Sequence, residues 1–234
     1  MLDSVALQSR LSDVRDRITR AASRVKRDPA SVRLIAVSKT FSSEYVRAVA
    51  QAGQVDFGEN KVQEGLDKIA QTADLPLRWH LIGHLQSNKA KHAVRFNTIH
   101  SVDGRPLLHK LDAAATTASR TVEILVQVDL AQEPTKFGVA PEELRATLDV
   151  ADSCKTVVLK GLMLLPPALD NPEDARPYFS ALRSLRDELV REGRDPSTLG
   201  ELSMGMSHDF EIAIEEGATM VRIGSAIFGE RVYR

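Results

Sequence analysis

The sequence predicts an α/β fold: a single (β/α)8 barrel of the TIM type with an extra N-terminal helix. Eight short apolar runs alternate with helical stretches along the chain, and that alternation means a parallel sheet covered by helices. Gly53, Pro76, Gly104, Gly138, Pro172, Pro196 and Gly217 punctuate the breaks between them. The length, 234 residues, fits eight β/α units, which need about 200–250. An open, doubly wound sheet would give the same alternation, and the pattern by itself leaves that choice open.

The elements follow in order. Residues 2–27 carry Leu7, Leu11, Val14, Ile18 and Val25 at near-helical spacing, which predicts an amphipathic helix. The run at 32–38, centred on Leu34-Ile35-Ala36-Val37, is the first strand, and 43–52 the helix behind it. Val55 and Phe57 mark a strand at 55–57, followed by a helix over 60–72 with Val62, Leu66 and Ile69 in step. Trp79, Leu81 and Ile82 give a strand at 79–82, and 86–94 reads as a short helix. The fourth unit is a strand at 98–101 and a helix at 105–118, opened by Gly104 and Pro106. Strand 122–128 is rich in Val and Ile, and Pro141 starts the helix at 141–152. Strand 157–163 precedes the longest barrel helix, 173–193, whose Phe179, Leu182 and Leu189 recur at helical spacing. Short strands at 199–202 and 219–222 flank a helix at 208–216. No linker, repeat or low-complexity segment divides the chain, so residues 1–234 are expected to form one domain, with residues 1–30 packed on the barrel.

Composition removes several classes of function. The chain is 43% hydrophobic and 27% charged, with a net charge of −1 from 31 basic and 32 acidic residues. That balance offers no electrostatic footprint for nucleic acid or an anionic membrane, and no apolar stretch is long enough to span a bilayer. Residues 1–26 lack an apolar targeting core and carry Asp3, Asp13 and Asp16. Cys154 is the one cysteine, so no disulfide forms within the chain and a reducing, cytoplasmic location is expected. No activating motif surrounds Cys154. His80 and His84 lie four apart, but no further ligand accompanies them, and no metal site is expected.

In a barrel, function sits in the loops after the C-terminal ends of the strands. That places Lys39 at the mouth, on the end of a buried run, and lysine is the side chain that condenses with an aldehyde. The loops after strands 7 and 8 carry Ser203-Met204-Gly205-Met206-Ser207 and Gly224-Ser225. Ser207 reads as the N-cap of the helix at 208–216, and Gly224-Ser225 opens a short helical turn. Both would supply N–H and hydroxyl donors for a phosphate. Arg222 interrupts the apolar strand 219–222 and points either outward to a carboxylate or inward beside the phosphate loops. A Schiff-base lysine, a phosphate cup and an adjacent arginine together describe a pyridoxal phosphate site. A sugar-phosphate aldolase would use the same lysine and cup.

The chain resembles the pyridoxal phosphate homeostasis proteins, small single-domain relatives of the alanine racemase barrel. The matching segments include Ala36-Val37-Ser38-Lys39-Thr40, Phe57-Gly58-Glu59-Asn60, Trp79 through Lys89, Lys136-Phe137-Gly138, Leu202 through Ser207 and Val221 through Gly229. Lys61 and Ser225 depart from the family, which often has an aromatic residue and a threonine there. The resemblance implies that Lys39 holds the cofactor as a reversible aldimine. It implies that Ser203, Ser207, Gly224 and Ser225 contact the phosphate with the Met206 backbone, that Arg222 faces the pyridine nitrogen, and that Asn60 lines the pocket. A monomeric carrier in cellular pyridoxal phosphate homeostasis is expected, passing cofactor transiently to apo-enzymes, with a low-activity amino-acid racemase as the alternative. Lys136 would be a second lysine that receives the aldehyde during release, and His208 a substitute for the racemases' tyrosine base. Tyr45 and Tyr178 fall on predicted helices and Tyr233 at the extreme terminus.

Overall fold

The computed structural model describes residues 3–131 and 137–230. Eight parallel strands close into a barrel in sequence order: β1 (Arg33–Val37), β2 (Asp56–Glu59), β3 (Arg78–Leu81), β4 (Thr98–Val102), β5 (Val122–Gln127), β6 (Val157–Met163), β7 (Glu201–Met206) and β8 (Met220–Ile223). Closure is made by β8 returning to β1, with Arg33 opposite Met220 and Ala36 opposite Ile223. The closed barrel decides between the two architectures that the alternation had left open.

Helix α1 (Ser4–Arg24) precedes the barrel, and Asp3 caps it by accepting a hydrogen bond from the Ala6 N–H at 3.0 Å. Its Leu7, Leu11, Val14 and Ile18 are buried, each contributing about 1.5–3 kcal/mol by leaving water. The connecting helices are α2 (Ser43–Gln51), α3 (Val62–Gln71), α4 (Ala90–Ala93), α5 (Arg105–Thr117), α6 (Pro141–Ser153), α7 (Arg176–Arg191), α8 (Phe210–Glu215) and α9 (Ser225–Phe228). Helix α1 lies against α2, α8 and α9.

Alternation along the strands sorts side chains into two layers. The larger core lies between the sheet and the helices and includes Leu34, Phe57, Leu81, Ile99, Ile124 and Val221. The smaller, inside the barrel, is Ile35, Leu125, Met163 and Met220. Polar residues share the interior, with His80, His100, Ser203 and Arg222 all buried.

The largest departure from the sequence reading is in β7. The expected strand ended at 202, whereas β7 continues to Met206 and its pairing with β8 shifts register between Ser203 and Met206. Gly205 has φ +93°, and a Cβ there would sit 2.6 Å from the Ala213 Cβ. A bulge with a left-handed glycine is a common way to re-aim a strand beside a site. The Ser-Met-Gly-Met sequence conceals the strand because it carries no β-branched residue.

Candidate functional site

The C-terminal ends of the strands open onto a cleft of about 490 Å³. Its walls include Lys39, Asn60, Met206, Ser207, Arg222, Gly224 and Ser225, so seven of the eight principal positions expected from the sequence meet in one cavity. Lys39 stands two residues past the end of β1, after Ser38, and is half-buried. Asn60 follows β2, and its backbone is held close to the β3 loop, because a Cβ on Gly83 would lie 2.3 Å from the Asn60 carbonyl oxygen.

Ser203 is placed differently from the expectation. It does not line the cleft, and its hydroxyl is fully buried, 2.5 Å from Arg222 Nη1 and 2.9 Å from His100 Nδ1. Because β7 runs on past it, Ser203 lies in the barrel interior below the mouth, where it supports Arg222. Ser207 is not the N-cap of α8 either, since that position is Asp209. The Asp209 carboxylate accepts the Met206 N–H at 2.6 Å and tightens the turn. The Ser207 hydroxyl instead accepts N–H bonds from Gly224 at 3.2 Å and Ala226 at 3.4 Å, at the start of α9. Ser207, Gly224 and Ser225 therefore form one polar corner built from two adjacent loops.

Arg222 points inward, resolving its two readings. Besides Ser203 it donates from Nη2 to the Leu164 carbonyl at 2.9 Å. It is 3% exposed, and burial lowers it to about 10, opposed by the Asp209 charge, so it remains a cation at neutral pH.

Below Arg222 runs a continuous polar chain that crosses the barrel. Ser203 meets His100, His100 Nε2 lies 2.9 Å from His80 Nδ1, and His80 Nε2 lies 2.9 Å from Asp56 Oδ1. Arg78 Nη2 closes the far end on Asp56 Oδ2 at 2.7 Å. Guanidinium groups only donate, so Ser203 accepts from Arg222 and gives its own proton to His100 Nδ1. Burial lowers the proton affinity of both imidazoles, and of His100 strongly. Each is thus a neutral Nε2–H tautomer, donating toward Asp56. Burial would raise the Asp56 carboxyl, but bonds from His80 and Arg78 outweigh it and hold it below the usual range.

The sequence reading assigned no role to His84, Gln127 or Phe137, all of which line the cleft. The His84 and Phe137 rings stack at 3.5 Å, with His84 Nδ1 3.2 Å from Asp103, while Gln127 donates to the Phe137 carbonyl. A glutamine closing an apolar strand and a histidine in a Gly-His loop were the available signals. His80 and His84 do not share a face: one is inside the barrel and the other at the mouth. Among the described residues no group of His, Cys, Asp and Glu is arranged to hold a metal. His208 is exposed and lines the cleft, with Nε2 3.1 Å from the Asp170 carbonyl. Among the described residues no tyrosine lines the cleft: Tyr45 packs on Phe41 and Tyr178 lies on α7. Lys136 and Tyr233 lie outside the described residues. No helix among the described residues is long and apolar enough to cross a membrane.

The barrel and its cleft define the class: residues 9–232 match the family model of the alanine racemase N-terminal domain. A pyridoxal phosphate homeostasis protein from Aquifex aeolicus is 46% identical over 96% of this chain and 98% of its own length. Its counterpart from Escherichia coli K12 is 38% identical over 95% and 96%. PipY of Synechococcus elongatus, solved with PLP bound, superposes with a TM-score of 0.84 at 39% identity, covering 95% of this chain and 100% of that one. The chain belongs to the pyridoxal phosphate homeostasis protein family. A Clostridium difficile alanine racemase shares the fold, with a TM-score of 0.72 at 14% identity, and this chain covers 57% of it.

Proposed function

We propose that this chain binds pyridoxal 5′-phosphate in the Lys39 cleft and holds it in reserve through a reversible imine with Lys39. The observation that carries the reading is the convergence of Lys39, Arg222 and the Ser207–Gly224–Ser225 corner on one cavity. The donor set fits the group: a primary amine for the aldehyde, hydroxyl and backbone N–H groups for the phosphate, and a guanidinium for the ring nitrogen. That PipY was solved with PLP bound supports the assignment. When bound, the group supplies an aldehyde that exchanges among amines and a ring that can withdraw electrons.

The chain's own residues favour storage over turnover. Arg222 keeps its proton at neutral pH and presents only donors, so it stabilises an unprotonated ring nitrogen and weakens electron withdrawal. The described residues place no tyrosine across from Lys39 to act as the second base of racemisation. Passing the cofactor to apo-enzymes is part of the proposal, with Lys136 as the amine that receives it. Borohydride reduction followed by peptide mass mapping tests the anchor. A pyridoxyl adduct is expected on Lys39 and absent from Lys39→Ala, and no adduct anywhere would overturn the reading.

A second reading, a low-activity amino-acid racemase, draws on His84, an imidazole in the cleft wall paired with Asp103. Burial raises the Asp103 carboxyl, with the His84 charge opposing. Turnover of any L-amino acid at ordinary enzyme rates, lost in His84→Phe, would favour it over storage.

A further inference from the structure

The chain on either side of Lys39 is unusually constrained. Ser38 accepts a bond from the Phe41 N–H at 3.0 Å, closing a turn whose two central residues are Lys39 and Thr40. Thr40 has φ +72°. This left-handed conformation at the third turn position suits glycine or asparagine and is strained for a β-branched residue. Such a conformation persists only where its surroundings enforce it.

Those surroundings are an ion cluster between β2 and α3. Glu64 Oε1 accepts the Thr40 N–H at 2.6 Å, fixing the peptide after Lys39. Lys68 Nζ donates to the Ser38 carbonyl at 2.8 Å, fixing the peptide before it. The same ammonium joins Glu59 Oε1 at 2.6 Å and Glu64 Oε1 at 2.8 Å. Glu59 Oε1 also accepts the Ser38 hydroxyl at 2.6 Å, and the Ser38 N–H bonds to the Gly58 carbonyl. The cluster carries a cost of its own, for Glu59 Oε2 is buried with no hydrogen-bond partner among the described residues. Two local penalties thus stand within one residue of Lys39 or on a group bonded to its neighbour. Departures from local preference of this kind concentrate at functional sites.

We infer that Glu59, Lys68 and Glu64 are positioning residues for Lys39. They lock the peptides flanking it into a left-handed turn, so that its amine is aimed into the cleft before a carbonyl compound arrives. The inference rests on reading Lys39 as the amine that takes the aldehyde. Glu64 is the decisive member, because its carboxylate alone holds the Thr40 N–H. Burial would raise the Glu64 carboxyl, but bonds from Lys68 and Thr40 outweigh it and keep it ionised.

Two ligands separate positioning from general support of the pocket. Pyridoxal phosphate can bond to Lys39. Pyridoxine phosphate carries an alcohol in place of the aldehyde and uses only the ring and phosphate contacts. Glu64→Ala is expected to weaken pyridoxal phosphate binding by about tenfold, since misplacing a reacting group is costly, with pyridoxine phosphate affinity changed less than about twofold. Glu64→Gln, which keeps an acceptor oxygen, should restore most of the loss. Glu64→Ala combined with Thr40→Gly should also restore it, because glycine takes the left-handed conformation unaided. Equal weakening of both ligands, or of neither, overturns the inference, as does failure of Thr40→Gly to rescue. Should Glu64→Ala fold poorly, Glu64→Met, which fills the space of the side chain but offers the Thr40 N–H no carboxylate oxygen, gives the same comparison. If the unsubstituted protein forms no adduct at Lys39, the cofactor reading fails instead, a result distinct from either.

Discussion

Replacing His100 with glutamine should make the cofactor-free protein less sensitive to acid. Both interior imidazoles are neutral in the folded state, because burial lowers their proton affinity. In the unfolded chain each titrates near pH 6.5. As pH falls through that value, the unfolded chain takes up protons that the folded chain refuses, so stability is full above about pH 6.5 and is lost below it. Between about pH 7.5 and about pH 5.5 this linkage reaches about 1 kcal/mol per histidine, if the folded ring takes up no proton in that interval. Glutamine preserves the chain of bonds: its oxygen accepts from Ser203 and its amide donates to His80 Nδ1. His80 keeps Asp56, and every other titrating group is common to both proteins. Urea unfolding at the two pH values should therefore show the variant losing about 1 kcal/mol less than the unsubstituted protein. Equal losses would mean that His100 takes up its proton in the fold as readily as in the unfolded chain, and the one-way chain from Arg222 to Asp56 would be wrong.

Other substitutions address the placement of the serines and the bulge. Ser203→Ala strands Arg222 Nη1 and His100 Nδ1 in the interior, so the cofactor-free protein should lose about 2 kcal/mol in urea unfolding. Ser207→Ala, at the half-buried polar corner, should cost less than about 1 kcal/mol while weakening binding of pyridoxine phosphate in calorimetry. Gly205→Ala forces an alanine into a left-handed conformation against Ala213 and Phe210. It should cost about 3 kcal/mol and lower the melting temperature by about 10 °C.

Lys39 and Arg222 were legible in the sequence because each breaks an apolar run, and a barrel puts such breaks either at its mouth or in its interior. The parallel β/α architecture was legible through its alternation, closure of the sheet into a barrel was not, and most element ends fell within two residues of those expected. Ser203 was legible as a polar residue near the mouth but not as an interior one. Its depth depends on where β7 ends, and a left-handed glycine and a register shift set that end. The polar chain was hidden for a different reason. Asp56, His80, His100 and Ser203 are spread over four strands, and only barrel closure brings them into one line. The clamp on Lys39 was equally invisible, since Glu59, Glu64 and Lys68 read in sequence as ordinary charges around an amphipathic helix.

The isolation of Arg222 has an energetic consequence of its own. It is a buried cation, and no carboxylate of a described residue lies within ion-pair distance. Its charge is met by Ser203 and the Leu164 carbonyl and, beyond ion-pair distance, by the Asp209 carboxylate, with the nearest end of the polar chain neutral. Burying an unpaired charge costs several kcal/mol even after relaxation. A ligand carrying negative charge in the cleft would offset that cost, so, if the proposed site holds, part of the ligand affinity would come from an electrostatic deficit of the free protein. Arg222→Met separates the two sides of this balance. The cofactor-free variant should be no less stable than the unsubstituted protein, because a thioether of similar length fills the space without the desolvation cost. Its melting temperature should then rise much less than that of the unsubstituted protein when pyridoxine phosphate is added. A loss of more than about 2 kcal/mol in the cofactor-free variant, beyond what stranding the Leu164 carbonyl explains, would show that Arg222 is already compensated within the fold and that no deficit is held for the ligand.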